Sequence, residues 1–317
     1  HAAPLKQAFK IARGAKTEAE TIRVTLADGK HAGRGECVPY RRYGETIDTV
    51  LAALEAARPK IEAGINRDDL QTLMEPGAAR CAVDCALWDL EAKQTKTPVW
   101  KLAELPEPTP IKTAISISLD TPDKMGDAAH IVNGDLIKLK LGGADDLARV
   151  EAVHRARPEA KLILDGNEGI KPDIFLELSN KAFTFGAVLL EQPFPADQDD
   201  ALLKHCSLVS ICADESAHTA GDIERLSRKY DAVNIKLDKA GGLTAGIEMV
   251  HEARRAGMEV MVGCMVAGSL SMAPAVLLGG LADFVDLDGP LWLAEDIENG
   301  LTFEAGYVSP PSADLWG

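Results

Sequence analysis

Several features that mark specialised classes of protein are scarce or missing in this chain of 317 residues. No run approaches the roughly 20 consecutive apolar residues of a bilayer-spanning helix, and no basic segment followed by an apolar one opens the chain. Lysine and arginine total 34 against 49 aspartates and glutamates, so the formal charge of −15 repels nucleic acid phosphates. We therefore expect no membrane span, no export signal and no nucleic acid partner.

Paired cysteines are also absent. The six cysteines form no CxxC motif, and Cys81 and Cys85 have the four-residue spacing of a buried helix face. Neither a zinc site nor a disulfide framework is indicated, and reduced thiols in a cytoplasm are the simplest interpretation. We predict a cytoplasmic protein, and the composition leaves homo-oligomerisation open.

The first third of the chain has the pattern of a small α+β domain. In residues 5–39, short segments of alternating apolar and polar residues predict β-strands, with Asp28-Gly29 at a hairpin turn. Helical patterns follow over residues 46–58 and 68–74, and again around the apolar stripe from Ala82 to Leu90. The proline-rich segment 105–110 is typical of a linker. We assign residues 1–110 to an N-terminal capping domain and linker.

Beyond the linker, β-rich apolar runs alternate with helix-length amphipathic stretches. Eight runs are found, over residues 114–118, 137–141, 162–165, 187–191, 210–214, 233–236, 259–263 and 284–288. Such repeats give parallel strands, and eight of them close into a (β/α)8-type barrel with its active site at the C-terminal strand ends. Because Gly289-Pro290 and an irregular tail follow the last run, we predict a modified (β/α)7β barrel over residues 111–289. The tail, residues 290–317, is expected to return to the capping domain.

Charged residues end five consecutive predicted strands, namely Lys140, Asp165, Glu191, Asp214 and Lys236. One strand-end aspartate is often only a turn cap, but five charged groups at one barrel end indicate a site. Three unpaired carboxylates at one mouth need a cation, and oxygen ligands without histidine or cysteine favour Mg²⁺ over zinc. Asn167 and Glu215 adjoin these carboxylates and are predicted to support them by hydrogen bonds.

The two strand-end lysines flank the predicted metal site from opposite sides. Burial, a neighbouring ammonium such as that of Lys138 and a divalent cation all favour a neutral amine that can act as a base. Two amines facing each other across a metal-bound carboxylate can remove a proton from one face of an α-carbon and return one to the other face. Mg²⁺ would stabilise the enediolate formed between these steps. The pattern predicts a racemase or epimerase that works by 1,1-proton transfer.

Five motifs at these strand ends resemble those of the enolase superfamily, in its muconate-lactonising branch, and the likeness extends over nearly the whole chain. They are Ile137-Lys-Leu-Lys140, Leu164-Asp-Gly-Asn167, Leu190-Glu-Gln-Pro193, Cys212-Ala-Asp-Glu-Ser216 and Asn234-Ile-Lys-Leu-Asp238-Lys-Ala-Gly-Gly242. Members of this superfamily combine a lysine or histidine base with Mg²⁺. Gly166 departs from the pattern, since relatives commonly carry alanine there.

Within that branch, Asp286-Leu-Asp288 resembles the DxD motif of the dipeptide epimerases, above all the L-Ala-D/L-Glu epimerases. The resemblance implies that Asp286 and Asp288 hold the terminal ammonium of a dipeptide and that Arg13 binds its acidic side chain. It implies further substrate contacts by Lys138, Thr113 and Cys264. The expected substrate is a small molecule, a dipeptide with an acidic C-terminal residue, and the expected role is murein-peptide recycling.

Other functions stay open at the level of the sequence. An o-succinylbenzoate synthase or a muconate cycloisomerase-like enzyme also uses the KxK motif and a sixth-strand lysine, although the DxD motif argues against it. A Schiff-base aldolase could use Lys236 as its nucleophile. A binding barrel that has lost turnover is a further alternative. The exact dipeptide, and the lysine that serves each stereoisomer, are likewise open.

Overall fold

The structure, a computed structural model, describes residues 1–204 and 206–317. Its N-terminal part begins with four strands, β1 (Ala2–Ile11), β2 (Gly14–Glu20), β3 (Ile22–Asp28) and β4 (His31–Cys37). The predicted hairpin is present, because β3 pairs with β4 across a turn in which Gly29 has a φ of 58°. Strands β1 and β2 form a separate two-stranded sheet, so these strands make two antiparallel pairs.

Four helices complete this part of the chain, α1 (Ile47–Glu62), α2 (Arg67–Leu73), α3 (Ala78–Thr95) and α4 (Val99–Leu102). Thr46 and Asn66 begin α1 and α2, since their side chains accept the amide hydrogens of Thr49 and Asp69. The hairpin lies directly on α3: a Cβ atom on Gly33 would come within 2.2 Å of the α3 backbone. Glycine is therefore required on β4 for this close contact.

The barrel follows the short strand β5 (Ile111–Lys112). Its strands are β6 (Ile115–Ile117), β7 (Leu136–Lys140), β8 (Lys161–Asp165), β9 (Ala187–Glu191), β10 (Ser210–Ala213), β11 (Ala232–Ile235), β12 (Glu259–Gly263) and β13 (Phe284–Asp286). They are parallel and lie in chain order in one sheet. A hydrogen bond of 2.8 Å from Ala114 N to Val285 O joins its two edges. The predicted fold class is confirmed.

Helices lie between the strands, as the alternating pattern predicts. They are α5 (Pro122–Ile131), α6 (Asp146–Ala156), α7 (Pro172–Thr184), α8 (Ile223–Leu226), α9 (Leu237–Ala240), α10 (Leu243–Arg255) and α11 (Ser269–Gly279). Short 3₁₀ helices occupy Arg41–Tyr43, Asp199–Lys204, Ala220–Asp222 and Gly289–Trp292. The last of these follows β13 in place of an α-helix, as expected for a (β/α)7β barrel. No helix of the described residues is long and apolar enough to cross a membrane.

The C-terminal tail contacts the N-terminal part at both ends of its path. Ala294 N donates to Pro4 O at 2.8 Å, and the indole of Trp316 donates to Cys85 O on α3 at 3.0 Å. Between these points, β14 (Phe303–Glu304) and β15 (Tyr307–Val308) form a three-stranded sheet with β5. The tail thus contacts the capping elements, while the division at residues 110 and 289 stays a prediction.

The capping elements also form hydrogen bonds with the segment that follows β11. Arg80 on α3 donates to Ala240 O at 2.7 Å, and Asp84 accepts from Thr244 N at 3.0 Å. Val38 N donates to Asp238 Oδ1 at 2.7 Å. Because Lys236 begins this segment, the capping part helps to fix the strand-six end of the barrel mouth.

Candidate active site

A cavity of about 220 Å³ lies at the C-terminal ends of the barrel strands. Its floor includes the predicted site residues Lys140, Asn167, Asp214, Glu215, Lys236, Cys264, Asp286 and Asp288. Capping residues, among them Arg13, Lys16 and Tyr43, cover it. The volume suits a small molecule, and the position is the one that a barrel fold predicts for an active site.

The three predicted metal carboxylates are buried at the base of this cavity, where each pairs with a lysine. Lys140 Nζ lies 2.6 Å from Asp165 Oδ2, and Lys236 Nζ lies 2.7 Å from Asp214 Oδ2. Lys138 Nζ lies 3.2 Å from Asp165 Oδ2 and 2.7 Å from Glu191 Oε2, so these two oxygens are within about 6 Å of each other. Parallel pairing aligns Lys140 with Asp165 and Asp165 with Glu191, which explains why these three side chains lie close together.

The electrostatics of this cluster are dominated by burial and by these ion pairs. Burial disfavours a charged Lys138, but Asp286, Glu191 and Asp165 outweigh it and raise the pKa of Lys138 well above its ordinary value. Burial likewise raises the pKa of Asp214, but Lys236 and Lys239 outweigh it and hold that pKa well below its usual range. For Glu191, burial and the nearby Asp165 charge prevail and raise the pKa to about 7.

The carboxylates fit a hard divalent cation by their chemistry. Among the described residues, no three histidine, cysteine, aspartate or glutamate side chains stand ready around a common point as a metal site. Lysine ammonium groups pair with the same oxygens and supply the positive charge in this arrangement. The donors on β8, β9 and after β10 are oxygen atoms only, which is the ligand set of Mg²⁺.

The DxD residues line the cavity on the opposite side. Asp286 Oδ2 accepts from Lys138 Nζ at 2.7 Å, whereas its buried Oδ1 has no hydrogen-bond partner among the described residues. Asp288 Oδ2 accepts from Ser116 N at 2.7 Å and from the Trp292 indole at 3.3 Å. Burial and Asp286 raise the pKa of Asp288 to about 6. Two adjacent acidic groups, with Asp286 Oδ1 unpartnered among the described residues, suit an incoming cation.

Arg13 contacts acidic groups of the protein itself. Its guanidinium donates to Glu215 Oε1 at 2.6 Å, to Glu168 Oε2 at 3.0 Å and to Asn167 O at 2.7 Å. Burial opposes its charge, but Glu215 outweighs this and raises the pKa of Arg13 further. Glu215 lines the cavity beside Arg13, and its Oε2 has no partner among the described residues, while its support of Asp214 stays a prediction. A substrate contact by Arg13 stays a prediction.

Two other predicted contacts differ in their surroundings. Cys264 lines the cavity. Burial raises the pKa of its thiol, so this part of the cavity surface is uncharged. Thr113 lies outside the residues that line the cavity, and its hydroxyl accepts from Leu287 N at 2.9 Å. This geometry gives Thr113 a role in joining β13 to the start of the barrel and lends no support to a substrate contact.

Sequence reasoning missed Lys16, although it lies on the same hairpin as Arg13. Its side chain lines the cavity, and its Nζ lies 4.9 Å from the centre of the Tyr40 ring. Within the described part of the chain it forms no ion pair, in contrast to Arg13. Only its position three residues after Arg13 could have suggested it, because an exposed lysine on a hairpin is ordinarily just solvated.

Two family models together match most of the chain. "Enolase C-terminal domain-like" matches residues 127–314, and "Mandelate racemase / muconate lactonizing enzyme, N-terminal domain" matches residues 1–103. The L-Ala-D/L-Glu epimerase of Escherichia coli is 40% identical over 96% of this chain and 95% of its own length. The N-acetyl-D-glutamate racemase of a Pseudoalteromonas species is 40% identical over 93% of this chain and 95% of its own length.

Solved structures give the same picture. An Agrobacterium tumefaciens enolase family member with homology to dipeptide epimerases, solved with sodium and L-Ala-L-Glu, is 47% identical. It matches with a TM-score of 0.97 over 100% of this chain and 98% of that one. A dipeptide epimerase from Enterococcus faecalis, solved with Mg and L-Leu-L-Tyr, is 26% identical, with a TM-score of 0.91 over 100% of this chain and 96% of that one.

Proposed function

The chain belongs to the enolase superfamily, and from this membership we propose that it is an isomerase, a Mg²⁺-dependent dipeptide epimerase. The observation that carries the proposal is the placement of Lys140 and Lys236 at the wall of one cavity, each bonded to a different carboxylate of the buried cluster. The acidic pair Asp286 and Asp288 adds a site for the amino terminus of a dipeptide. Similarity to L-Ala-D/L-Glu epimerase supports an acidic C-terminal residue in the substrate.

The lysines would exchange one proton for another at the α-carbon of the C-terminal residue. Bound by Asp165, Glu191 and Asp214, Mg²⁺ would supply positive charge beside the substrate carboxylate and so make the α-proton more acidic. One lysine, as a neutral amine, takes the proton into a new N–H bond. The other, as an ammonium ion, donates a proton to the opposite face of the carbon. Lys138 stays beneath the cavity, where its contacts with Asp165, Glu191 and Asp286 balance their charge.

Incubation of the protein with L-Ala-L-Glu and Mg²⁺ in D₂O tests the proposal directly. Proton NMR should show loss of the Glu α-proton signal and growth of the L-Ala-D-Glu diastereomer, and EDTA should stop both. Exchange on other dipeptides but not on L-Ala-L-Glu would keep the mechanism and discard the acidic preference. No exchange on any dipeptide would favour a lyase or cycloisomerase, and borohydride trapping on Lys236 that EDTA does not affect would favour a Schiff-base aldolase.

Racemisation of an N-acylated amino acid is a second candidate, since the chain is equally similar to an N-acetyl-D-glutamate racemase. We expect kcat/KM for L-Ala-L-Glu to exceed that for N-acetyl-L-glutamate by about 100-fold, because the buried Asp286 Oδ1, which has no partner among the described residues, gains most from a free ammonium. Asp286→Asn should lower kcat/KM for the dipeptide and spare that for the N-acetyl compound. Steady-state kinetics with both substrates decides the matter, and a preference for the N-acetyl compound would reverse the assignment.

Specificity for an acidic side chain is assigned to Lys16 together with Arg13. Because Glu168 and Glu215 already pair with Arg13, Lys16, which forms no ion pair with any described residue, offers its ammonium group to a substrate carboxylate. Lys16→Ala should raise KM for L-Ala-L-Glu by about 10-fold or more, with little change in kcat and little effect on L-Ala-L-Gln. Equal losses on both dipeptides would show that Lys16 acts on the closure of the cavity and not on specificity. Lys101→Ala, on the exposed face of α4, is the matched control.

The location and pathway follow as hypotheses. An acidic dipeptide and unpaired cysteines are typical of a cytoplasmic enzyme of murein-peptide recycling. Fractionation of the native organism would test the location. Homo-oligomerisation is a separate hypothesis that light scattering of the purified protein would decide.

A further inference from the structure

Each carboxylate of the buried cluster has two oxygens in different surroundings. The inner oxygens, Asp165 Oδ2, Glu191 Oε2 and Asp214 Oδ2, face the ammonium groups of Lys140, Lys138 and Lys236. The outer oxygens have protein donors from behind: Asn167 N to Asp165 Oδ1 at 3.0 Å, Asn234 Nδ2 to Glu191 Oε1 at 2.8 Å and Lys239 Nζ to Asp214 Oδ1 at 2.6 Å. The same division of roles thus recurs on three strands.

The amide of Asn234 occupies space that a glycine on the neighbouring strand leaves open. Asn234 lies on β11, fully buried, and a Cβ atom on Gly263 of the neighbouring strand β12 would come within 2.4 Å of its Oδ1. That Oδ1 has no hydrogen-bond partner among the described residues, which is unfavourable for a buried acceptor. Among the described residues, the amide donates to Glu191 Oε1. An apolar residue at this position would leave that buried carboxylate oxygen without its donor.

Lys239 is the fourth lysine of the cluster and lies on α9, after β11. It is buried, with 3% of its surface exposed, and it is not among the residues that line the cavity. Its Nζ contacts Asp214 twice, at the backbone oxygen (2.5 Å) and at Oδ1 (2.6 Å), and Asn234 O at 3.3 Å. Its ammonium is therefore bound to Asp214 by contacts that do not involve Lys236.

We propose that Asn234 and Lys239 are positioning residues of the metal site. By holding the outer oxygens of Glu191 and Asp214, they aim the inner oxygens at the point where the cation binds. The proposal rests on the proposed function only for the presence of that cation. Outer hydrogen bonds of this kind typically change metal affinity by about 10–100-fold.

The test is metal affinity without substrate. Mg²⁺ binding is measured by isothermal titration calorimetry and Mn²⁺ binding by electron paramagnetic resonance, on wild type, Asn234→Ala and Lys239→Met. Both variants should raise Kd by about 10-fold or more. Lys93→Met is the matched control, because Lys93 pairs with the buried Asp89 at 2.7 Å on α3, far from the strand ends, and should leave Kd unchanged. Unchanged or tighter binding in Asn234→Ala and Lys239→Met would overturn the proposal.

A variant that fails to fold must be distinguished from a folded variant that binds metal weakly. Circular dichroism and Tm are recorded for every variant; Asn234→Ala removes the unpartnered Oδ1, so it is the safer variant if Lys239→Met does not fold. Lys239→Gln, which keeps a donor but loses the charge, should give an intermediate Kd. A wild type that binds Mg²⁺ but epimerises no dipeptide would refute the proposed function alone. A wild type that binds neither metal would refute both.

Discussion

Replacing either Lys140 or Lys236 by alanine is expected to abolish epimerisation while sparing proton exchange on one stereoisomer. Epimerisation needs a base on one face of the α-carbon and an acid on the other, so the loss of either amine should cost at least about 10²–10⁴-fold in kcat. The remaining lysine can still remove and return a proton on its own face. In D₂O, each variant should therefore exchange the α-proton of one diastereomer of L-Ala-Glu, and the two variants should prefer opposite diastereomers.

The contacts of the two lysines support this symmetry. Lys140 donates to Asp165 at 2.6 Å, and Lys236 donates to Asp214 at 2.7 Å. Each amine is therefore hydrogen-bonded to a different carboxylate of the predicted metal site. Lys124→Ala, an exposed lysine on α5, serves as a control for purification and handling. Circular dichroism must show that the Lys140 and Lys236 variants fold. Full epimerisation by either folded variant would contradict the two-base mechanism.

The fold was predictable because its signals are local and repeated. Each apolar run of the barrel marks a strand within one or two residues, and Ala187–Glu191 and Glu259–Gly263 coincide with the predicted runs. The end of α1 was missed, since the helix continues past Pro59 to Glu62 where the prediction ended it at residue 58. The hairpin of β3 and β4 follows from its turn residues, whereas the separate pairing of β1 with β2 was not predicted from the sequence.

The site was predictable where a residue's place follows from strand register. Parallel neighbours put Lys140 beside Asp165, and Asp165 beside Glu191, so the strand-end rule was enough for them. It was not enough for Lys239, whose place depends on how α9 folds back onto Asp214. Arg13 could be placed near the cavity from the family resemblance, but its two acidic partners come from loops after β8 and β10 that no periodicity connects to it.

Mg²⁺ affinity is expected to rise with pH through neutrality because of Glu191. Burial and the neighbouring Asp165 raise the pKa of Glu191 to about 7, although Lys138 opposes the shift. Only the carboxylate form of Glu191 binds the cation. Below pH 7 a proton therefore competes with Mg²⁺ for this carboxylate, and Mg²⁺ binding releases that proton. At pH 8 the competition is nearly absent, whereas at pH 6 it should raise the apparent Kd by about 10-fold.

Calorimetric titrations with Mg²⁺ at pH 6, 7 and 8, in buffers of different ionisation enthalpy, would measure both the affinity and the protons released. Glu191→Gln should weaken binding by about 100-fold or more and remove the pH dependence between 6 and 8. Asp238 must be excluded as the source, because burial raises its pKa to about 7 as well. Asp238→Asn keeps an acceptor for Val38 N and should keep the pH dependence of the parent protein. If Asp238→Asn abolishes that dependence, or if Kd is the same at pH 6 and 8 in wild type, proton competition at Glu191 is wrong, and the lysine contacts alone keep this carboxylate ionised.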